Sequence, residues 1–252
     1  MKLSKINKTI QNPEILGIFL KTRNIKSIKI YLKVKETRNL LKKSCDMVDS
    51  LLSNTDINMI VEKTSAKFNL IKYPIMWYAL TRKYKPKIIV ETGTSMGWSS
   101  FMILNALNHN EKDGRLYSFD LDDSESVKTN GGVGYLVPEY LKQNWTLIIG
   151  DIKKQLEPLF KKLGKIDMFI HDSEHSYEMM MYEYNLAWQY LTEKGILCSD
   201  DINHSDAFQE FIDVHKNEIN RLNTFQEIIR STDDVNLRPF VGYFFKSSSI
   251  TN

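Results

Sequence analysis

Residues 168–178 read MFIHDSEHSYE, an apolar run that ends in two histidines and three carboxylates, Asp172, Glu174 and Glu178. Grouped carboxylates can hold a hard cation through oxygen. A histidine or acid in the same place can take a proton from a hydroxyl. Polar loops also end strands without doing either. The stretch decides nothing alone; its chemistry depends on which other segments reach it.

A second candidate is GILCSDDINHSD, residues 195–206, with the pair Asp200–Asp201 and His204. A third is KIIVETGTSMGWSS, residues 87–100, with Glu91 ahead of Gly93 and Gly97. RLYSFDLD places Asp120 at the end of another apolar run, 29 residues after Glu91, and WTLIIGD ends in Asp151. In each case a short apolar run is followed by an acid, and that regularity points to the elements beneath.

The apolar runs at 87–90, 115–119, 146–149, 167–170 and 195–198 alternate with helical patterns at 97–108, 138–143, 152–163 and 177–191. Short buried strands alternating with longer helices predict a doubly wound, Rossmann-like α/β fold. Runs at 225–229 and 240–245, with only a loop between them, predict an antiparallel pair at one edge. The expectation is a mostly parallel seven-stranded sheet with an antiparallel edge strand and an N-terminal helical extension. Residues 1–70 hold one glycine, Gly17, and helical groups around Ile15, Ile18 and Phe19 and around Val48, Leu51 and Leu52, with breaks at 11–13 and 53–56. We expect a helical segment over 1–70 and a ligand-binding domain over 71–252. Met180, Tyr184, Ala187 and Leu191 fall on one helical face and read as core.

In a parallel sheet all carboxyl ends open on one edge, where ligands bind. A glycine-bearing turn between strand and helix lets backbone N–H groups and the helix N-terminus approach an anionic group. A nicotinamide-binding turn would read G-x-G-x-x-G; this one reads E-x-G-x-x-x-G. The acid repels a pyrophosphate but suits an ammonium group. S-adenosylmethionine has that ammonium, with a carboxylate for the helix N-terminus and Ser99. Asp120 could take both ribose hydroxyls, and Asp151 could accept from an adenine amino group. The stretch with Gly131, Gly132 and Gly134 is placed to fold over such a ligand.

Glu91-x-Gly93-x-x-x-Gly97-x-Ser99, Asp120, Gly150–Asp151 and the HDSEHSYE segment resemble class I S-adenosylmethionine-dependent O-methyltransferases. The likeness spans roughly residues 75–245. It is greatest for the sugar O-methyltransferase and cephalosporin hydroxylase-like groups and extends to the metal-dependent catechol O-methyltransferases. It implies cofactor contacts from Glu91, Gly93, Thr94, Gly97, Ser99, Asp120, Asp151 and Asp172. It also implies divalent-ion ligands at Asp172, Asp200 and Asp201. The residues agree: three carboxylates converging in a partly dry cleft repel, and magnesium removes that cost. The base is open between His175, three residues beyond Asp172 as in the catechol enzymes, and Glu174, where some sugar-modifying relatives carry an acid. His171 reads as packing, and His204 as a neighbour of the acidic pair. A small-molecule or sugar hydroxyl is the expected acceptor.

Two other classes fit less well. A base-methylating enzyme would carry Asn/Asp-Pro-Pro-aromatic after the fourth strand, and HDSEHSY has no proline. That argues against nucleic acid, although residues 1–50 hold twelve Lys/Arg against four Asp/Glu. A hydroxylase-like or non-catalytic cofactor-binding relative would use the same acids. Charged content of 26% and apolar content of 42% are those of a globular protein. No apolar run approaches the ~18 residues of a membrane span. Cys45 and Cys198 match no zinc spacing and read as reduced thiols, so a cytoplasmic location is expected. The helical extension leaves room for self-association.

Overall fold

The computed structural model describes residues 25–53, 56–70, 72–110, 113–121, 131–230 and 235–247. The helical group at Ile15–Phe19, the break at 11–13 and the start of the glycine-rich stretch lie outside them. By contacts the chain divides into two compact units, Met1–Lys43 and Ser44–Asn252. Helix α1 (Ile25–Leu51) supplies the described part of the first unit, and its last turns belong to the second.

In the second unit α2 (Ile57–Phe68) and α3 (Lys72–Tyr84) precede the sheet. The alternating series is β1 (Ile88–Thr92), α4 (Trp98–His109), β2 (Arg115–Asp120), a 3-10 turn at Glu139–Asn144 and β3 (Trp145–Ile149). It continues with α5 (Ile152–Leu163), β4 (Ile166–His171), α6 (Tyr177–Tyr190), β5 (Leu191–Ser199) and α7 (Ala207–His215). Strands β6 (Ile219–Arg230) and β7 (Val235–Lys246) end the series. A functional boundary near residue 70 is a proposal; α2 and α3 pack with the sheet unit, α2 on α3 and α3 on α4.

The sheet has seven strands in the order β3-β2-β1-β4-β5-β7-β6. The first five are parallel, while β7 runs antiparallel to both β5 and β6. This is the expected Rossmann-like arrangement. The order reverses between β1 and β4, so a crevice must open beyond their carboxyl ends. Central β1 is buried from Ile89 to Thr92, which is why its sequence is almost wholly apolar until Glu91.

Local sequence sets each boundary. On α5, Ile152, Leu156 and Phe160 recur every four residues and are buried, while Lys153, Lys154, Glu157 and Lys161 face water. Its start is capped by Asp151 and its end by Gly164 at φ +75°. Several boundaries differ from the sequence reading, and β6 and β7 begin before the expected 225 and 240. Strand β5 begins at Leu191, with a register shift against β4 between Ile166 and Met168 that takes up the extra residues. The helix expected at 138–143 is a six-residue 3-10 turn, too short to pack a helical stripe.

Candidate active site

The turn after β1 is fixed by what touches it. Gly93 has φ +84°, and a Cβ there would lie 1.7 Å from the backbone oxygen of Asp172. The glycine is therefore required by the close approach of the β4 loop, quite apart from any ligand. Gly97, at φ +88°, starts α4 with no side-chain cap, and a Cβ on it would meet Gly134 at 2.9 Å. From Gly134 onward the glycine-rich stretch is a wall of the turn, while a Cβ on Gly132 would meet nothing within 4 Å. Gly134 N–H donates to Ser95 O at 2.8 Å, Leu136 N–H donates to Met96 O at 3.0 Å, and Leu136 and Val137 are buried.

The acids at the ends of β1, β2 and β3 are each held by donors. Glu91 is fully buried, and its Oε2 accepts from Ser100 Oγ at 2.6 Å and Ser118 Oγ at 2.7 Å. Trp145 Nε1–H donates to the same Ser118 Oγ at 2.9 Å, so a hydrogen-bonded chain crosses three strands. Burial raises the Glu91 pKa despite these bonds. Glu91 thus lies under the turn and lines neither cavity described below. Asp120 Oδ2 accepts the N–H groups of Thr94 at 3.0 Å and Ser95 at 2.6 Å, tying β2 to the turn. Asp151 Oδ1 accepts Lys153 N–H at 2.9 Å and caps α5.

Two cavities open along this edge. One, of about 250 Å³, is lined by Gly93, Ser95, Asp120, Asp151, Asp172 and Glu174, with apolar walls from Leu121, Ile152 and Met179. The other, of about 310 Å³, is lined by Tyr73, Gly93, Thr94, Ser95, Met96, Trp98, Ser99 and Asp172. They share Gly93, Ser95 and Asp172, so the β1 turn and the start of the β4 loop form their common border. Of the predicted contacts, Gly93, Thr94, Ser99, Asp120, Asp151 and Asp172 face a cavity; Gly97 and Glu91 support the turn from behind.

Beyond β4 and β5 Asp172 and Asp200 interact directly, with Asp201 nearby, but the carboxylates of the three expected metal ligands do not all lie within 4.8 Å of one another. Asp172 N–H donates to Thr92 O and Asp200 N–H to His171 O, each at 2.9 Å, which places both loops side by side. Desolvation, followed by the charges of Asp200, Glu91 and Asp201, raises the Asp172 carboxyl well above its ordinary range. Asp201 sits in a left-handed conformation at φ +48°, and its Oδ1 is buried without a hydrogen-bond partner. His175 Nε2 is 3.9 Å from Asp172 Oδ1, and its Nδ1 is 3.8 Å from Asp201 Oδ2. Burial first, then the neighbouring His171, push His175 down to about 4, so the ring is neutral at pH 7. Glu174 lines the first cavity together with Asp172.

Two residues that sequence reasoning passed over belong to the site. Glu183 of α6 is fully buried beneath the β4 loop. Its Oε1 accepts from Ser173 Oγ at 2.7 Å; its Oε2 accepts from Thr92 Oγ1 at 2.6 Å and pairs with His171 Nδ1 at 2.7 Å. This network fixes the loop that carries Asp172, Glu174 and His175. The signal was present: Glu183 is an acid on the apolar face formed by Met180, Tyr184 and Ala187. His171 is buried as expected, but as one half of this pair and not as inert packing. Tyr73 of α3 lines the second cavity, its hydroxyl pKa raised by burial and then by Asp172 and Asp200. Nothing in the sequence around Tyr73 marks it.

A crevice at the β1/β4 reversal, a glycine turn and acids on successive strand ends define a class I methyltransferase fold. Residues 90–202 match the family model described as a methyltransferase domain. That segment, from β1 to the loop after β5, is thus similar to a methyltransferase domain. Solved structures of similar fold include an O-methyltransferase from Bacillus cereus in complex with SAH. It is 15% identical, with TM-score 0.53, covering 79% of this chain and 95% of that one. Cofactor-bound Rv0187 from MTB is 14% identical, with TM-score 0.53, covering 79% and 93%. MycE of the mycinamycin biosynthetic pathway, in complex with Mg, SAH and mycinamycin VI, is 14% identical with TM-score 0.51. That match covers 79% of this chain and 57% of MycE. No curated protein matches the chain at a significant level. Among the described residues no helix is long and apolar enough to cross a membrane.

Proposed function

We propose that the protein transfers the methyl group of S-adenosylmethionine to a hydroxyl of a small molecule or sugar. The observation that carries this reading is the junction of the two cavities at Gly93 and Asp172, with neutral His175 3.9 Å from the Asp172 carboxylate. The first cavity suits the nucleoside, with Asp120 for the ribose hydroxyls, Asp151 for the base edge and Leu121, Ile152 and Met179 against its faces. The uncapped start of α4, with Ser99, suits the donor's carboxylate. A hydroxyl next to Asp172 would then lie beside the sulfonium methyl.

Asp172, Asp200 and Asp201 fit a hard divalent cation such as magnesium, because their crowding raises Asp172 and leaves Asp201 Oδ1 buried and unbonded. Such an ion, when bound, would hold substrate oxygens and make the hydroxyl more acidic. His175 takes the hydroxyl proton on a ring nitrogen, Glu183 steadies the loop that presents it, and the acceptor oxygen attacks the sulfonium methyl in line as the C–S bond breaks and S-adenosylhomocysteine leaves. Holding donor and acceptor in that alignment removes several kcal/mol of the barrier. Glu174 lines the donor cavity and is the second candidate base.

The reading is tested by titrating the protein with S-adenosylmethionine in a calorimeter, then screening vicinal diols, sugars and catechols with and without magnesium. His175→Ala should bind the donor normally and lose roughly 10²–10⁴-fold in turnover, the range for a missing general base. Loss on Glu174→Gln with a normal His175→Ala would move the base to Glu174. Absence of donor binding would refute the reading.

A further inference from the structure

One group of side chains at the sheet edge has more than the carboxylate chemistry used above. Among the described residues, His175, Asp201 and His204 are the three metal-binding side chains whose donor atoms all lie within 4.8 Å of one another. Asp201 Oδ2 is the hub, 3.8 Å from His175 Nδ1 and 3.7 Å from His204 Nε2. These gaps are too long for hydrogen bonds. Ligands about 2.0–2.1 Å from a tetrahedral ion stand about 3.3–3.4 Å apart, so small side-chain rotations bring the set to bonding distance. The two imidazole rings already approach edge to face, with centroids 5.4 Å apart. The backbone holds the arrangement as well: His204 N–H donates to Asp201 O at 3.0 Å, and Asp201 takes the left-handed turn that aims it inward. His175 Nε2 and Asp201 Oδ1 are both buried without hydrogen-bond partners.

Magnesium takes oxygen ligands and gains little from imidazole, whereas zinc and its first-row neighbours favour nitrogen. We propose that His175, Asp201 and His204 form a transition-metal site, of zinc type, that overlaps the methyl-transfer residues and whose occupation withdraws His175 and Asp201 from methyl transfer. Two imidazoles and one carboxylate leave an open fourth position, the coordination of an accessible zinc site. Zinc binding stands on this geometry alone; the inhibitory consequence rests on the methyl-transfer reading. His204 is half-exposed and has no part in that reaction, so it separates the two.

The test uses the purified full chain, stripped of metal and titrated with zinc chloride alone. One equivalent should bind with a micromolar or tighter dissociation constant, and His204→Ala should weaken binding at least tenfold. His204→Ala should keep its affinity for S-adenosylmethionine and its turnover in magnesium. Zinc should inhibit the parent protein at concentrations that leave the variant active. Absence of stoichiometric zinc binding, or equal binding by parent and His204→Ala, would overturn the site. If zinc binds as described and no acceptor is ever methylated, the site stands and the methyl-transfer reading falls. If turnover is found and zinc inhibits parent and variant alike, the inhibitory role falls.

Discussion

The two halves of the carboxyl edge carry similar numbers of acids and treat them differently. On the β1–β3 half each acid is held by donors from its own neighbourhood: Glu91 by Ser100 and Ser118, Asp120 by two backbone N–H groups, Asp151 by the start of α5. On the β4–β5 half, burial and then the charges of Asp200, Glu91 and Asp201 push the Asp172 carboxyl upward. The first half is largely paired as folded, with Glu91 Oε1 the one carboxylate oxygen of its three acids that is buried without a hydrogen-bond partner. The second half stores electrostatic repulsion that a cation, a proton or a substrate hydroxyl would relieve. Binding rigidity and chemical tension are thus divided between neighbouring strands, with Gly93 against Asp172 as the seam.

The largest expected effect comes from breaking that seam. Gly93→Ala puts a Cβ 1.7 Å from the Asp172 carbonyl oxygen and forces a side chain into φ +84°. We expect a loss on the order of 3–5 kcal/mol of stability or failure to accumulate folded protein, because both sides of the clash are backbone. Gly132→Ala is the control. Its φ of +90° is also strained, but its Cβ would meet nothing within 4 Å. It should cost about 1–3 kcal/mol, from backbone strain alone. Urea unfolding of the two variants checks this; equal losses would mean that close packing against Asp172 does not matter.

A smaller effect tests the first half. Asp120→Ala should weaken S-adenosylmethionine binding by about 1–3 kcal/mol, or about 5–150-fold, through ribose hydroxyls left unpaired. The same change frees the Thr94 and Ser95 N–H groups, so the melting temperature should fall as well. Calorimetry with unchanged affinity would remove Asp120 from the donor site while leaving its role in holding the turn.

Much of this was legible in the sequence, and the reason differs between the halves. Strand ends followed by acids at Glu91, Asp120, Asp151, Asp172 and Asp200 are local patterns, and a parallel sheet sends them all to one edge. The antiparallel pair at the far edge was legible from two β-prone runs with only a loop between them. What is missing is information that only packing holds. Gly93 looked like a ligand-approach glycine, yet the nearest obstacle is the β4 loop, 79 residues further along the chain. Glu183 went unremarked within a core helix, and only packing brings its three partners, Thr92, His171 and Ser173, around it. The glycine-rich stretch looked free because glycine signals conformational freedom, and its backbone bonds to Ser95 and Met96 cannot be read from composition. Tyr73 comes from a helix outside the alternating series, and no spacing rule connects it to the edge.

The smallest predicted effect probes the strained half directly. Burial and the Asp200 charge raise Asp172 above 3.8, so in the window between 3.8 and the raised value the native state holds a proton that the unfolded chain has lost. Stability therefore falls as pH rises through that window and stays at its low level above it. Asp200→Asn removes the charge that, after burial, does most to raise Asp172 and supplies an amide that can donate to it. At pH 7–8, with chelator present, the variant should be more stable by about 1 kcal/mol, seen as a melting temperature about 2–4 °C higher. The gain should fade as pH drops through the window in which Asp172 takes up its proton. Magnesium should then raise the melting temperature of the parent and leave that of the variant nearly unmoved. A variant that melts lower than the parent at every pH would show that the acids of the β4–β5 half are as well supported as those of the β1–β3 half, and the contrast between them would disappear.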